Sequence, residues 1–132
     1  TSNPSSISQA ATVEALSGTQ DFIKERATSF QERRDFVVKA LNEIDGIECL
    51  NPDGAFYVFP SCKGLMGKKD SNGNELKTDT DFVKSLLENS GIAVVQGSAF
   101  GLEGFFRISY ATSMDNLKKA LEKISTFCKN LK

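Results

Sequence analysis

Apolar residues recur along this chain with two periods, and the points where one gives way to the other mark its elements. Ile7, Ala10, Ala11 and Ala15 share one weakly apolar helical face that ends at Ser17-Gly18. Asn3 reads as the N-cap of that helix and Pro4 as its first residue, where no amide partner is needed. A longer helix follows from about Thr19 to Ile44, with Ile23, Ala27, Phe30, Val37, Leu41 and Ile44 as its buried stripe. Charged residues fill its other faces, and Arg33-Arg34, between Glu32 and Asp35, reads as solvated surface. After Asp45-Gly46 the period becomes extended. Ile47–Leu50 and Ala55–Phe59 are strand candidates, and the turn Asn51-Pro52-Asp53-Gly54 between them predicts an antiparallel pair. Ser61–Lys77 has no period and is rich in Gly, Lys, Asn and Asp, which predicts a mobile surface loop.

The remaining pattern is simpler. Thr78 caps a third helix, Asp79 and Asp81 complement its dipole, Phe82, Val83, Leu86 and Leu87 form its buried side, and Gly91 ends it. Ile92–Val95 and Phe105–Ala111 read as strands, and Ser113 caps a last helix. That helix carries the stripe Leu117, Ala120, Leu121, Ile124, Phe127, Cys128 and Leu131. The order of helices and strands fits a two-layer α+β domain, a small antiparallel or mixed sheet covered by helices, better than a doubly wound parallel sheet.

Composition narrows the function. At 132 residues the chain is expected to form one domain, residues 1–132, of ordinary globular composition with 39% hydrophobic and 25% charged residues. Sixteen Lys+Arg against seventeen Asp+Glu leave a net charge of -1, no footprint for nucleic acid or an anionic membrane. No apolar run is long enough to cross a bilayer. Cys49, Cys62 and Cys128 are odd in number and scattered, which points to reduced thiols and a cytoplasmic location, with core packing the role of at least Cys49 and Cys128. With no histidine, a Ser-His-Asp or Cys-His nucleophile and a His-ligated metal cannot be built from this chain. Asp70-Ser71-Asn72-Gly73-Asn74 has a superficial look of a calcium loop, but its acidic spacing is incomplete and Glu75 comes too early to close it. The chain opens on Thr1 without an initiator methionine, so we expect a fragment or a processed product, which leaves upstream chain open as a source of catalytic groups.

Two motifs carry candidate chemistry. Gly97-Ser98-Ala99-Phe100-Gly101 invites a phosphate-loop reading, yet a strand follows it and not a helix whose amides could face an anion. It is better read as a tight turn. Arg107 lies inside the apolar strand Phe105–Ala111, and alternation puts Phe105, Arg107, Ser109 and Ala111 on one face and Phe106, Ile108 and Tyr110 on the other. The second face should meet the helices, with Tyr110 in the core. The first leaves room beside a planar, permanently charged fork that matches a carboxylate with two hydrogen bonds. From spacing alone, a guanidinium simply pointing to water is also open.

The segments Asn3-Pro4-Ser5-Ser6-Ile7-Ser8-Gln9, Asp53-Gly54-Ala55-Phe56-Tyr57, Gly97–Gly101 and Phe106–Ala111, in order across essentially the whole chain, closely resemble the C-terminal part of class I pyridoxal-phosphate aminotransferases, those of the bacterial aspartate type above all. Gln96 departs from the proline usual before the Gly-Ser-Ala-Phe-Gly run, which should relax the loop without touching the arginine. The resemblance implies the small domain of a larger enzyme that exchanges an amino group between an L-amino acid and a 2-oxo acid. It implies pyridoxal 5'-phosphate as cofactor, a homodimer, and a cofactor-linking lysine outside this chain, so that the piece alone would be inactive. Lys63, Lys68 and Lys69 are then expected to be solvated. It gives Arg107 the substrate α-carboxylate, places Phe56 near the substrate side chain, where a core strand residue is the other reading, and brings Ser2 and Asn3 toward the neighbouring subunit's site. An alanine, aromatic or kynurenine aminotransferase, a lyase of the same cofactor class, and a non-enzymatic amino-acid-binding regulatory domain remain the alternatives.

Overall fold

A computed structural model of the protein describes residues 2–132, and its architecture follows from where helical amphipathicity is strong. Helix α1 (Ser6–Ser17) and helix α2 (Asp21–Asn42) come first. Strand β1 (Tyr57–Val58), helix α3 (Asp79–Ser90), strand β2 (Val95–Gln96), strand β3 (Phe106–Ser109) and helix α4 (Met114–Lys129) follow. The three strands form an antiparallel sheet with β3 in the middle, Tyr57 opposite Ser109 and Val95 opposite Arg107. Helices α2, α3 and α4 cover one face of it, the expected two-layer α+β arrangement.

The core is built from the stripes read in the pattern. Phe106, Ile108 and Tyr110 are buried beneath the helices, as alternation requires, with Val37 and Leu41 from α2, Phe82 and Leu86 from α3, and Leu117, Leu121, Ile124, Phe127 and Cys128 from α4. Phe82 sits between Phe106 and Phe127, at ring distances of 5.1 and 6.0 Å. The Tyr110 hydroxyl resolves its own burial by donating to the Ala55 carbonyl at 2.8 Å. Thr78 and Asp81 close a reciprocal capping box at the start of α3, Gly91 ends it in the left-handed conformation, and the Ser113 hydroxyl caps α4.

Several expectations are corrected. Helix α1 starts at Ser6 with Ser5 at the cap, so Asn3 and Pro4 precede it; the Pro4 carbonyl instead accepts a bond from the Gln9 amide. No residue of α1 is buried, and the first half of the α2 stripe is open as well, Ile23 being half-exposed. Arg34 is not solvated surface: it donates to Asp35 and to the Pro52 carbonyl at 3.0 Å, tying α2 to the following loop. The hairpin between Ile47–Leu50 and Ala55–Phe59 does not form. The Asn42 side-chain amide takes both the Cys49 N–H and its carbonyl, at 2.8 and 2.9 Å, and so replaces the partner strand. Glu48 meets Ser61 in a single bridge, and the Tyr57–Val58 strand pairs with β3.

The Ser61–Lys77 loop is anchored, not free. Cys62, Leu65 and Leu76 are fully buried, Lys69 exchanges two backbone bonds with Lys132, and Asp70 is a buried hub. Its carboxylate accepts from the Ser85 hydroxyl, the Asn72 and Asn74 backbone N–H groups and the Asn74 amide. The segment that superficially looks like a calcium loop is therefore an Asx-type turn clamped to α3. Ile92–Val94 falls short of strand pairing, and Leu87 is half-exposed.

Candidate functional site

The face of the sheet that the helices leave open is aromatic and carries the Arg107 guanidinium. Register brings Tyr57 beside Ser109 on the same side as Arg107, and the chain just before β3 adds Phe105. Phe59 stacks on Phe105 at 5.8 Å and meets the edge of Phe100 at 5.9 Å. The Arg107 guanidinium lies 4.5 Å from the Phe100 ring centre and 5.3 Å from that of Tyr57. It is half-buried, and among the described residues no carboxylate pairs with it. Two ring faces hold the fork by cation–π attraction, about 0.5–1 kcal/mol each where water is near. They cannot accept its N–H groups along the guanidinium edge. That edge remains free for a planar anion.

The Gly97–Gly101 run explains how Phe100 comes to lie there. It forms a short 3-10 turn over Gly97–Phe100, and Gly101 takes a φ of 79° that lets the chain double back into β3. The Gly97 N–H donates to the Phe105 carbonyl at 2.7 Å, and a Cβ on Gly97 would strike the Leu102 and Phe105 carbonyl oxygens. The buried Asp79 carboxylate accepts the Ser98 N–H at 2.6 Å. No phosphate cradle results; the turn is a support for one aromatic wall. Gln96, where proline is usual, is the last residue of β2 and leaves Arg107 in place.

The other expected site residues divide. Phe56 is half-exposed beside the open face, edge-on to Tyr57 at 5.4 Å, so it is no core strand residue; its carbonyl receives Tyr110 N–H and the Ser109 hydroxyl. Asn3 and Ser2 lie in the exposed stretch before α1, and no side-chain hydrogen bond of either occurs among the described residues. Thr1 lies outside the described residues. Tyr57, Phe100 and Asp79 were not singled out in the sequence as site residues. Tyr57 could be found only through its register with Ser109, and Asp79 only through its contact across the fold.

Lys63 and Lys69 are exposed and Lys68 is half-buried. The Lys63 ammonium rests 4.9 Å over the Phe105 ring at the rim of the aromatic face. The three thiols are buried; burial pushes Cys49 up to about 11 and Cys62 and Cys128 up to about 12, with the Asp79 charge adding to the rise at Cys62. None is a ready nucleophile. A groove between α3 and α4, lined by Asn89, Ser90, Lys123 and Phe127, is separate from this chemistry: Arg107 does not border it.

This is an antiparallel sheet with Arg107 on its open face, and comparison with known proteins defines its class. The chain belongs to the family of class I and II aminotransferases, whose model matches residues 1–124. It is 61% identical over 131 residues to the aspartate aminotransferase of Rhizobium meliloti (strain 1021), covering 99% of this chain and 32% of the relative. It is 58% identical over 128 residues to a probable aspartate/prephenate aminotransferase of Rhizobium leguminosarum bv. phaseoli, covering 97% and 32%. A crystal structure of the aspartate aminotransferase from Rhizobium meliloti superimposes with a TM-score of 0.96 at 61% identity, over 100% of this chain and 33% of that one. The chain thus spans about a third of the length of the relatives it matches.

Proposed function

We propose that residues 1–132 are the small domain of an aspartate-type aminotransferase, in which Arg107 binds the substrate α-carboxylate. The observation that carries this reading is a half-buried guanidinium, walled by Tyr57 and Phe100, with no carboxylate of its own. A fork held against two rings is limited in the orientations its edge can take, so a bound carboxylate is oriented as well as held. Each charge-assisted hydrogen bond is worth about 1.5–3 kcal/mol. Family membership implies pyridoxal phosphate, which when bound supplies the electron sink for the Cα–H bond of the amino acid. The donor set of this chain fits the substrate's carboxylate and not that cofactor's attachment: its lysines are exposed apart from half-buried Lys68, and Lys63 is committed to the Phe105 face. The cofactor lysine then belongs to the rest of the protein, and the piece alone does not transaminate.

Exposed apolar side chains support a larger assembly. Ile7, Val13 and Leu16 on α1 are 80%, 65% and 78% exposed, and Phe22 is 49% exposed, more apolar surface than a free arm needs. We take the intact protein to be a cytoplasmic homodimer using amino acids and 2-oxo acids, in keeping with its family. No helix among the described residues is long and apolar enough to cross a membrane.

The test is Arg107→Ala in the full-length enzyme. Loss of two such bonds should lower kcat/KM by at least about a hundredfold, for alanine as for aspartate, because both share the α-carboxylate. A loss confined to dicarboxylic substrates would mean that Arg107 reads the side chain. A second reading, prephenate as amino acceptor, is favoured by the name of the 58% identical relative; steady-state rates with prephenate in place of 2-oxoglutarate decide it.

A further inference from the structure

We propose that Asp79 is a positioning residue for the carboxylate grip, acting through the Gly97–Phe100 turn; this rests on the reading of Arg107 given above. Asp79 is 2% exposed, at the first position of α3. Helix α3 does not need it as a cap, because Thr78 and Asp81 already complete the capping box. Its two carboxylate oxygens serve the Thr80 N–H at 3.0 Å and, nineteen residues along the chain, the Ser98 N–H at 2.6 Å. No lysine or arginine pairs with it among the described residues. A buried charge without a cation is costly, and the α3 dipole together with two amide donors offsets that cost.

What the charge secures is the turn. Ser98 is two residues before Phe100, and Phe100 is the ring nearer to the Arg107 guanidinium, at 4.5 Å against 5.3 Å for Tyr57. That ring is itself 49% exposed and meets Phe59 edge-on. With the Ser98 bond gone, Phe100 loses its fixed place and the fork loses one wall. The fork would then sample orientations that do not match a carboxylate, which weakens ground-state binding more than turnover.

The experiment uses the full-length protein saturated with its cofactor. Asp79→Ala and Asp79→Leu both remove the acceptor oxygens, the leucine keeping the volume; Asp79→Asn keeps one. Succinate, a dicarboxylate that cannot be transaminated, is the calorimetric probe. In the Ala and Leu variants Kd for succinate and KM for aspartate should rise about tenfold with kcat within about threefold, and Asn should restore most of the affinity. In Asp79→Leu/Arg107→Ala the added loss should vanish, because both substitutions act on one grip. If Arg107→Ala leaves succinate binding intact, the Arg107 reading falls, and this proposal with it. If Arg107→Ala weakens binding while both the Ala and Leu variants bind succinate like the parent protein, the Asp79 proposal alone is overturned. Lower thermal stability with unchanged Kd, or failure of all three variants to fold, assigns Asp79 to the scaffold and overturns it too.

Discussion

Phe106 and Arg107 are neighbours on β3, yet they serve opposite sides of one sheet. Phe106 is fully buried against Phe82, and its face is closed by three helices. Arg107 looks out from a face covered only by a few rings, on a strand held by β1 and β2 alike. The closed face fixes where the backbone of β3 lies; the open face then displays a charge at a defined spot. Rigidity on one side makes precise presentation possible on the other.

That division can be attacked from the closed side first. Phe106→Ala empties the space beneath the sheet and should cost about 3–5 kcal/mol of stability, read from a urea titration. A loss below about 1 kcal/mol would mean that the helices do not set the position of β3. Gly97→Ala works at the junction: its methyl meets two backbone carbonyls that cannot swing away, so about 1–3 kcal/mol is expected, together with a change in the near-ultraviolet signal of the aromatic face.

A pH titration tests the far edge of the closed layer. The Ser85 hydroxyl above all, then the Asn74 amide and the Asn74 and Asn72 backbone N–H groups, hold the Asp70 carboxyl down at about 2, against the opposing effect of burial. The folded state thus favours the ionised form. Its contribution is complete above the unfolded value near pH 4 and drains away as pH falls toward about 2. Asp70→Asn should flatten this part of the stability–pH curve; an unchanged slope would show that the hub is not coupled to folding. The smallest effect belongs to the open face. Arg107→Ala should alter stability by about 1 kcal/mol or less, since two cation–π contacts are lost while a half-buried unpaired charge is relieved. A large destabilisation would place Arg107 among the structural residues and undo the contrast with Phe106.

Local signals were readable where chemistry is local. Thr78, Gly91 and Ser113 announce helix ends through their own hydroxyls or backbone freedom, and the alternation from Phe105 to Ala111 separates core from open face. Arg107 stood out because a charge in an apolar strand asks for a partner. The same signals misled where a distant residue supplied the missing bond. Asn42 satisfied Cys49 and removed the need for a hairpin, and Ser85 with Asp70 turned an aperiodic polar stretch into an anchored loop.

The amino-acid order by itself determined the helices α2 to α4, the two faces of β3 and the candidate arginine, because each depends on residues within a few positions of one another. Only the tertiary structure decided which strands pair, that Tyr57 and Phe100 flank Arg107, and that Asp79 holds the turn beneath one of them. Those contacts join residues far apart in the chain. Their formation depends on loop closure and burial, which spacing along a sequence does not encode.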